Sequence, residues 1–399
     1  MRNFSCDVLV VGGGVAGTSA AIAAARNGAC TLLVEREAYL GGTGYAGMFQ
    51  HICGLYLNGE EFPKETLNSG ITREIVALLK KKSPRTMERQ IGQVYVLPYD
   101  CNSLQSVLAS LCAAEKKLSI MRESVVQSVS SRQGKVMAVT AETGGQQLTI
   151  AASMVIDCSG NGDVAAYAGA AHELTPSDER QPAGYVIHLK GLSNPEETLP
   201  IKIPYHLAQA VQRGLLPPLT RLTTFSIGDT LEEGYCKMSV EGEDGPERNE
   251  RARKDAALML DYLAEVLPAL KCARIAGTSL KVLDREGRRV CGEYTLTEQD
   301  IISARKFPDG AVKNAWPIEL WNASKGTSYQ YVPRGDYYDI AFRCMIVKGF
   351  YNLLCAGRCI SVTHAALGST RVMGTCMALG EYAGQAAAYH VNYGKYPEI

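Results

Sequence analysis

Residues 7–35 read DVLVVGGGVAGTSAAIAAARNGACTLLVE, and most of the architecture can be argued outward from them. The stretch opens on an uninterrupted apolar run, Val8–Val11, which predicts a strand buried on both faces. Gly12, Gly14 and Gly17 follow at once in the spacing G-x-G-x-x-G. An alanine-rich segment then runs to Asn27 without a breaker, and Gly28 stands where a helix C-cap belongs. A second apolar strand, Thr31–Val34, ends on Glu35. Strand, tight turn, helix, strand and acid together are the setting in which a dinucleotide is held. Gly12 permits the turn, Gly14 lets a pyrophosphate approach the backbone, and Gly17 lets the helix pack on the strand. The helix N-terminus offers free N–H groups and partial positive charge to phosphates. Glu35 is positioned to accept hydrogen bonds from a ribose.

The bulk composition excludes several classes. The chain has 399 residues, 46% hydrophobic and 21% charged, a globular composition with length for two or three domains. Lys+Arg and Asp+Glu both number 41, so charge offers no argument for nucleic acid or an anionic membrane. No apolar run reaches the roughly 18 residues of a membrane span. The apolar part of MRNFSCDVLVV already belongs to the first strand rather than to a signal peptide; the expected location is the cytoplasm. The 13 cysteines are an odd count with no C-x-x-C. They are expected to be small buried apolar residues, with neither a dithiol centre nor a zinc site and no metal.

Further along, Gly41-Gly42 stands where a second loop can approach the same ligand, and residues 44–57 read as a loop or short helix. Residues 70–82 and 100–117 predict helices, the latter capped by Asp100 or Asn102, with Leu104, Val107, Leu108 and Leu111 at helical spacing. Three β-like runs, 119–130, 135–142 and 147–150, predict a three-stranded meander. Residues 154–163, MVIDCSGNGD, echo the opening motif: a buried strand, a Gly-rich turn, and a small-residue helix over 164–171. A polar change of composition near 173–184 marks a second region over 173–335. It holds a helix over 249–267 ended by Pro268, with charged residues 247–255 on its exposed face. The last third predicts a strand over 351–357, a loop over 360–368 containing His364, and a helix capped by Ser369 or Thr370 running to about Tyr389.

Five stretches carry a resemblance: VVGGGVAG (10–17), EREAYLGGT (35–43), VIDCSGNGDVAAYAG (155–169), LDREGRRVCGEYTLTEQDI (283–301) and NLLCAGRCISVTHAALGSTRVMGTCMALGEYAGQAAA (352–388). Together they resemble the FAD-dependent oxidoreductases, glutathione-reductase-like flavoproteins with a GRCIS…GSTRVM motif. The resemblance implies an α/β fold. A Rossmann-like FAD-binding domain, parallel sheet plus meander, would be formed by residues 1–172 and 336–399, with an inserted α+β substrate or cap domain over 173–335. It implies FAD bound in extended form, with Gly12, Gly14, Ala16 and Gly17 facing the pyrophosphate. Glu35 would take the adenosine ribose, with Arg36 near the adenine and Val126 contacting it through its backbone. Gly42 and Thr43 would approach the ribityl–flavin end, and Ser159, Gly160 and Asp163 would form a turn near the AMP half. Gly357 and Arg358 would approach the ribityl chain and pyrophosphate; relatives carry Gly-Asp there, so the arginine is a departure.

Reduced flavin carries negative charge near N1 and C2=O, which a helix N-terminus around Ser369–Val372 would stabilise, with Arg371 adding full positive charge. A surface or interdomain salt bridge is the other reading of Arg371. His364 is a candidate acid/base or covalent flavin tether, with Cys359 a second tether; its alternative is an ordinary loop histidine. His51 is a weaker candidate. Arg285, Arg288 and Arg289 suit a substrate carboxylate or an internal salt-bridge network, and Tyr294 and the tyrosines of 329–338 suit a pocket or packing. With no second G-x-G-x-x-G in a strand–helix setting, the expected activity is hydride exchange between flavin and a small organic substrate, without a nicotinamide domain of its own. A flavin monooxygenase, a flavoprotein maturase and a non-redox FAD-binding protein are the alternatives.

Overall fold

The computed structural model describes residues 2–397. Its longer elements, in chain order, are β1 (Arg2–Val11), α1 (Val15–Arg26), β2 (Thr31–Val34), α2 (Ile71–Lys82), α3 (Cys101–Ala114), β3 (Leu118–Met121), β4 (Ser124–Arg132), β5 (Lys135–Thr143), β6 (Gln146–Asp157), β7 (Ala183–Lys190), α4 (Leu199–Gln212), β8 (Thr224–Ile227), β9 (Glu233–Val240), α5 (Pro246–Val266), β10 (Arg274–Thr278), β11 (Ile318–Asn322), β12 (Gly326–Gln330), β13 (Leu353–Cys355), α6 (His364–Thr370) and α7 (Met373–Tyr393).

The expected α/β architecture is observed. Among the described residues the largest sheet has seven strands in the order β3-β2-β1-β6-β5-β4, with β13 also paired to β6. The apolar runs explain its centre. Val8, Leu9 and Val10 are fully buried, and β1 pairs in parallel with β2 on one side and β6 on the other. A strand covered on both faces needs no polar alternation.

Strand β6 corrects the expected meander. The runs at 147–150 and 154–157 are one strand, which changes partner along its length. Its first half pairs antiparallel with β5, Thr143 opposite Gln146, and its last residues pair in parallel with β13, Asp157 opposite Cys355. The burial changes with the partner, alternating at first and continuous over Met154–Asp157. The meander's first run also divides: β3 joins β2 in the parallel sheet, and the chain turns through Glu123 at φ 51° before β4 begins.

Helix α1 is buried from Val15 to Ala25, because α7 covers the side turned away from the sheet. A Cβ on Gly380 would lie 1.9 Å from the Ala16 carbonyl oxygen, and one on Gly384 would lie 2.1 Å from that of Ala20. The two helices thus meet backbone to backbone, which only alanine and glycine allow. Helix α3 begins as expected, with Asp100 accepting from the Ser103 N–H at 2.7 Å.

The C-terminal motif is arranged differently from the expectation. Residues 364–370 form helix α6, capped by Thr363, whose side chain accepts from the Ala366 N–H. The chain breaks at Arg371–Val372, and α7 starts from Val372. Ser369 and Thr370 therefore end one helix rather than cap the next. Thr363 supplies the N-cap oxygen that makes a helix at 364 possible.

A second core draws its residues from 183–282. It lies between the four-stranded sheet β8-β9-β7-β10 and helices α4 and α5. Val290, Leu296, Ile301, Phe307, Val312, Ile318 and Val332 belong to the first core instead. Helix α5 starts at Pro246, and Arg248, expected on its exposed face, is buried against Asp244 and Asp284 at 2.9 and 2.6 Å. No helix among the described residues is long and apolar enough to cross a membrane.

The helix–helix contact is testable. Gly380→Val places a branched side chain against a carbonyl of α1 that cannot move aside, and should cost about 3 kcal/mol, read as a lowered urea midpoint.

Candidate active site

The three motif glycines are required for different reasons. Gly12 has φ 103°, and a Cβ there would lie 2.4 Å from the Cys158 oxygen. A Cβ on Gly17 would lie 1.7 Å from the Gly12 oxygen. The fold itself demands both. Gly14 has φ −67° and ψ −177°, backbone that any residue adopts. A Cβ there would meet nothing nearer than the Gly42 Cα at 4.0 Å. Nothing in the protein requires a glycine at this position, so the space it leaves is space for a ligand.

The surroundings suit an anion. Helix α1 has no side-chain cap and no acid in its first turn, so its leading N–H groups are open. Gly41 bridges to Gly14, bringing Gly42 beside the turn and leaving Thr43 exposed. Gly357 (φ 88°) approaches from the other side, its Cβ position 3.0 Å from the Ala16 Cβ. Arg358, half-buried, donates from Nε to the Gly160 carbonyl at 2.7 Å and from Nη1 to the Asp284 carbonyl. It meets backbone oxygens there, and burial lowers its pKa.

Glu35 is buried at the end of β2, accepting from the Gly13 N–H and, at 2.7 Å, from the Glu37 N–H. Burial raises its carboxyl above the ordinary value against those two donors and Arg36. Arg36 is exposed beside it. Val126 lies just past the start of β4, where Ser124 N–H donates to the Glu35 carbonyl at 2.9 Å. Ser159 is occupied by its own turn, donating to Asp157 Oδ1 at 2.7 Å and accepting from the Asp163 N–H at 2.9 Å. Asp163 takes Arg288 at 3.1 Å.

The second half of the site lies where the two cores meet. Glu286 is its hub: one oxygen accepts from the Gln181 N–H, the other from Thr175 at 2.9 Å. His364 Nε2 faces Glu286 Oε1 at 3.4 Å, an ion-pair contact without hydrogen-bond geometry. Burial acts to raise the Glu286 carboxyl, but His364, the Gln181 N–H and Thr175 outweigh it and hold it below its ordinary value. From Gln181 the network continues. Its Oε1 accepts from Arg371 Nη2 at 3.2 Å and from the Trp321 N–H at 3.1 Å. Arg371 also reaches the Glu319 carbonyl at 3.3 Å, and Trp321 Nε1 donates to Glu319 Oε1 at 2.7 Å. Val372, the N-cap of α7, stands beside Cys53 and Gly54: the Gly374 N–H donates to the Cys53 carbonyl at 2.9 Å. The helix end aimed into this region is therefore that of α7, not one at Ser369.

The three arginines of 283–301 separate. Arg288 pairs with Asp163 and Arg289 with Glu173 at 3.4 Å, as an internal network would have them. Arg285 has no carboxylate partner among the described residues. It donates to the Pro182 carbonyl and lies over Trp321, its Cζ 4.3 Å from the ring centroid. Tyr294 is tied to Asp300 at 2.8 Å. Cys359, expected as a possible tether, is fully buried, its thiol turned to the Asp157 and Ala356 carbonyls.

Sequence reasoning missed Lys237, Gln181, Glu286, Glu319 and Trp321. In β9 Gly234, Cys236, Met238 and Val240 are buried, so by alternation Lys237 falls on the opposite set. That set faces the first core: Lys237 Nζ lies 4.7 Å over Trp321 and 5.7 Å over Phe49. Burial, then Arg285, pushes Lys237 down to about 8; Glu319 and Cys53 favour its charge and Arg371 opposes it. Burial, then Arg89 and Lys237, push His51 down to about 4, so its ring is neutral at neutral pH.

The Lys237 shift has a signed consequence. Between about 8 and its ordinary 10.5 the folded protein binds fewer protons than the unfolded chain, so stability rises with pH through that window. Urea midpoints across it should climb in the wild type and climb less in Lys237→Met.

The comparisons with known proteins fit this geometry. Among curated proteins none matches the sequence. Solved structures share its fold. A geranylgeranyl bacteriochlorophyll reductase-like protein from Thermoplasma acidophilum is 14% identical with a TM-score of 0.51, over 99% of this chain and 80% of that one. The aromatic hydroxylase CabE of angucycline biosynthesis is 13% identical with a TM-score of 0.53, over 98% of this chain and 63% of that one. The anhydrotetracycline hydroxylase OxyS from Streptomyces rimosus gives the same figures. At such identities the likeness is one of fold alone. A sequence profile described as FAD dependent oxidoreductase matches residues 7–398, from the edge of the first buried strand through α7; the chain belongs to that family, and its cofactor is FAD.

Proposed function

We propose that this protein exchanges a hydride directly between FAD and a small organic molecule, and returns the electrons to a second partner rather than to a nicotinamide domain of its own. The observation that carries the reading is the continuous polar network from His364 through Glu286 and Gln181 to Arg371 and the start of α7.

FAD, when bound, supplies the hydride acceptor or donor. The open N–H groups around Gly14, Ala16 and Gly17 suit its pyrophosphate, with Gly12 holding the turn. Glu35 suits the ribose, Arg36 and the Val126 backbone the adenine, and Gly42 and Thr43 the ribityl end. Ser159, Gly160 and Asp163 shape the turn on the AMP side, and Gly357 and Arg358 close the opposite flank. Arg371 and the first turn of α7 from Val372 would stabilise negative charge arriving with the hydride. His364 would take or give a proton at Nδ1, because Glu286 faces Nε2. The covering unit is taken as 183–282, narrower than 173–335, because residues from 290 onward pack into the first core.

Two measurements test the reading. Gly14→Val should leave the melting temperature of the flavin-free protein nearly unchanged, since its Cβ has room. A clash with the cofactor of about 1–3 kcal/mol should weaken FAD binding about tenfold or more. Second, anaerobic titration of the yellow protein with candidate substrates should bleach the visible flavin band, and His364→Asn should slow turnover about a hundredfold at unchanged flavin content. Bleaching by a reduced nicotinamide alone, with oxygen then consumed to hydroxylate a substrate, would place the protein with the monooxygenases. A flavin that nothing reduces would leave it a binding protein.

A further inference from the structure

We propose that the substrate carries a carboxylate, held by Lys237, Arg285 and Arg371 around the indole of Trp321. The inference rests on the reading that a small organic molecule reacts beside FAD, and adds what that molecule is.

Three cations converge from separate parts of the chain: Lys237 from β9, Arg285 from the segment after β10, and Arg371 from the break between α6 and α7. Lys237 and Arg285 both lie over the Trp321 ring, at 4.7 and 4.3 Å. Arg371 reaches Gln181 Oε1 and the Glu319 carbonyl at 3.2 and 3.3 Å, which ties it to the same tryptophan. The carboxylate at the centre of the group is Glu319, and Trp321 Nε1 already holds one of its oxygens. Glu286 acts on Arg371 as well, and three positive charges against these two acids still leave an excess of positive charge where the cores meet.

The donors of the cluster are not exhausted. Arg285, 7% exposed, has Nη2 buried without a hydrogen-bond partner, as do Arg371 at Nε and Gln181 at Nε2. Lys237 Nζ makes no hydrogen bond or ion pair among the described residues and rests on aromatic faces. Three arginines of this chain behave differently, Arg248, Arg288 and Arg289, each of which has a carboxylate, whereas Arg358 spends its donors on the Gly160 and Asp284 carbonyls. Burying a cation without a counter-ion is costly, and a fold that keeps such charges together has placed them for something that brings the anion. A planar carboxylate fits the guanidinium fork. The aromatic faces of Trp321 and Phe49 suit the organic body attached to it.

The test is thermal unfolding of the FAD-loaded and the flavin-free protein with succinate, benzoate, their neutral amides, and inorganic phosphate. The carboxylates should raise the melting temperature of the wild type and the amides should not. Lys237→Met should weaken apparent carboxylate affinity about tenfold or more, while its melting temperature without additive holds or rises, because an unpaired half-buried cation is gone. Arg285→Met, whose shape is retained, serves as the second variant and should weaken the affinity likewise. Carboxylates that bind both variants as they bind the wild type would overturn the proposal. So would a wild type that responds to phosphate alone, or one that ignores every carboxylate while both variants lose FAD, for the cations would then serve the cofactor. A protein that never takes up FAD sinks the functional reading by itself; the carboxylate response is read separately on the flavin-free protein.

Discussion

Everything in this structure hangs on how closely α1 is held. Its start lies so near β1 that a methyl group on Gly17 would run into the Gly12 carbonyl, and its outer face is so near α7 that one on Gly380 would run into Ala16. A helix clamped on both sides cannot tilt. Its N-terminus is thereby fixed over the carboxyl ends of β1, β2 and β6, where a crevice opens in sheets of this kind. The same clamp positions the start of α7, because the helix that closes on α1 also begins beside Cys53, Arg371 and Trp321's neighbours. Cofactor turn and reaction centre are thus two ends of one packing contact.

Strand β6 extends that economy. By pairing with β5 in its first half and β13 in its second, it delivers Asp157 to the bottom of the second Gly-rich turn. There the carboxylate is buried and satisfied by Ser159 and the Ala165 N–H. Burial raises its pKa all the same. This acid is structural: it shapes the turn against which Gly357 and Arg358 lie.

Electrostatics divides the molecule more sharply than packing does. Around the cofactor turn, buried charge is matched by backbone donors or carbonyls. Between the cores it is only partly matched: Lys237, Arg285 and Arg371 share Glu319, and only Arg371 also feels Glu286. Two linked features, His364 against Glu286 and Arg371 against Gln181, carry the positive region toward the start of α7. A closed surface with unspent donors is a poor way to stabilise a fold and a good way to await a ligand.

The opening motif, the alanine-rich helix, the buried strands and the capping aspartate of α3 were all legible in the chain, because each depends on interactions within a few residues or on a repeat of period two or 3.6. The resemblance extended this to the family and to FAD. What could not be read locally is whatever depends on a distant partner. That β6 is one strand that changes partner along one edge follows from where β13 lands. The start of α6 at His364 is the exception, a local signal: Thr363 accepts from the Ala366 N–H three residues on. That Arg288 and Arg289 are neutralised while Arg285 is not depends on Asp163 and Glu173 arriving from far up the chain. Lys237 is the sharpest case: by strand alternation it belongs on a wet face, and only the docking of two cores half-buries it against Trp321 and Phe49. The sequence by itself determined the nucleotide-binding frame, since strand, turn and helix are neighbours along the chain. The tertiary structure alone decided which charges go unpaired, since burial and pairing are properties of surfaces that meet.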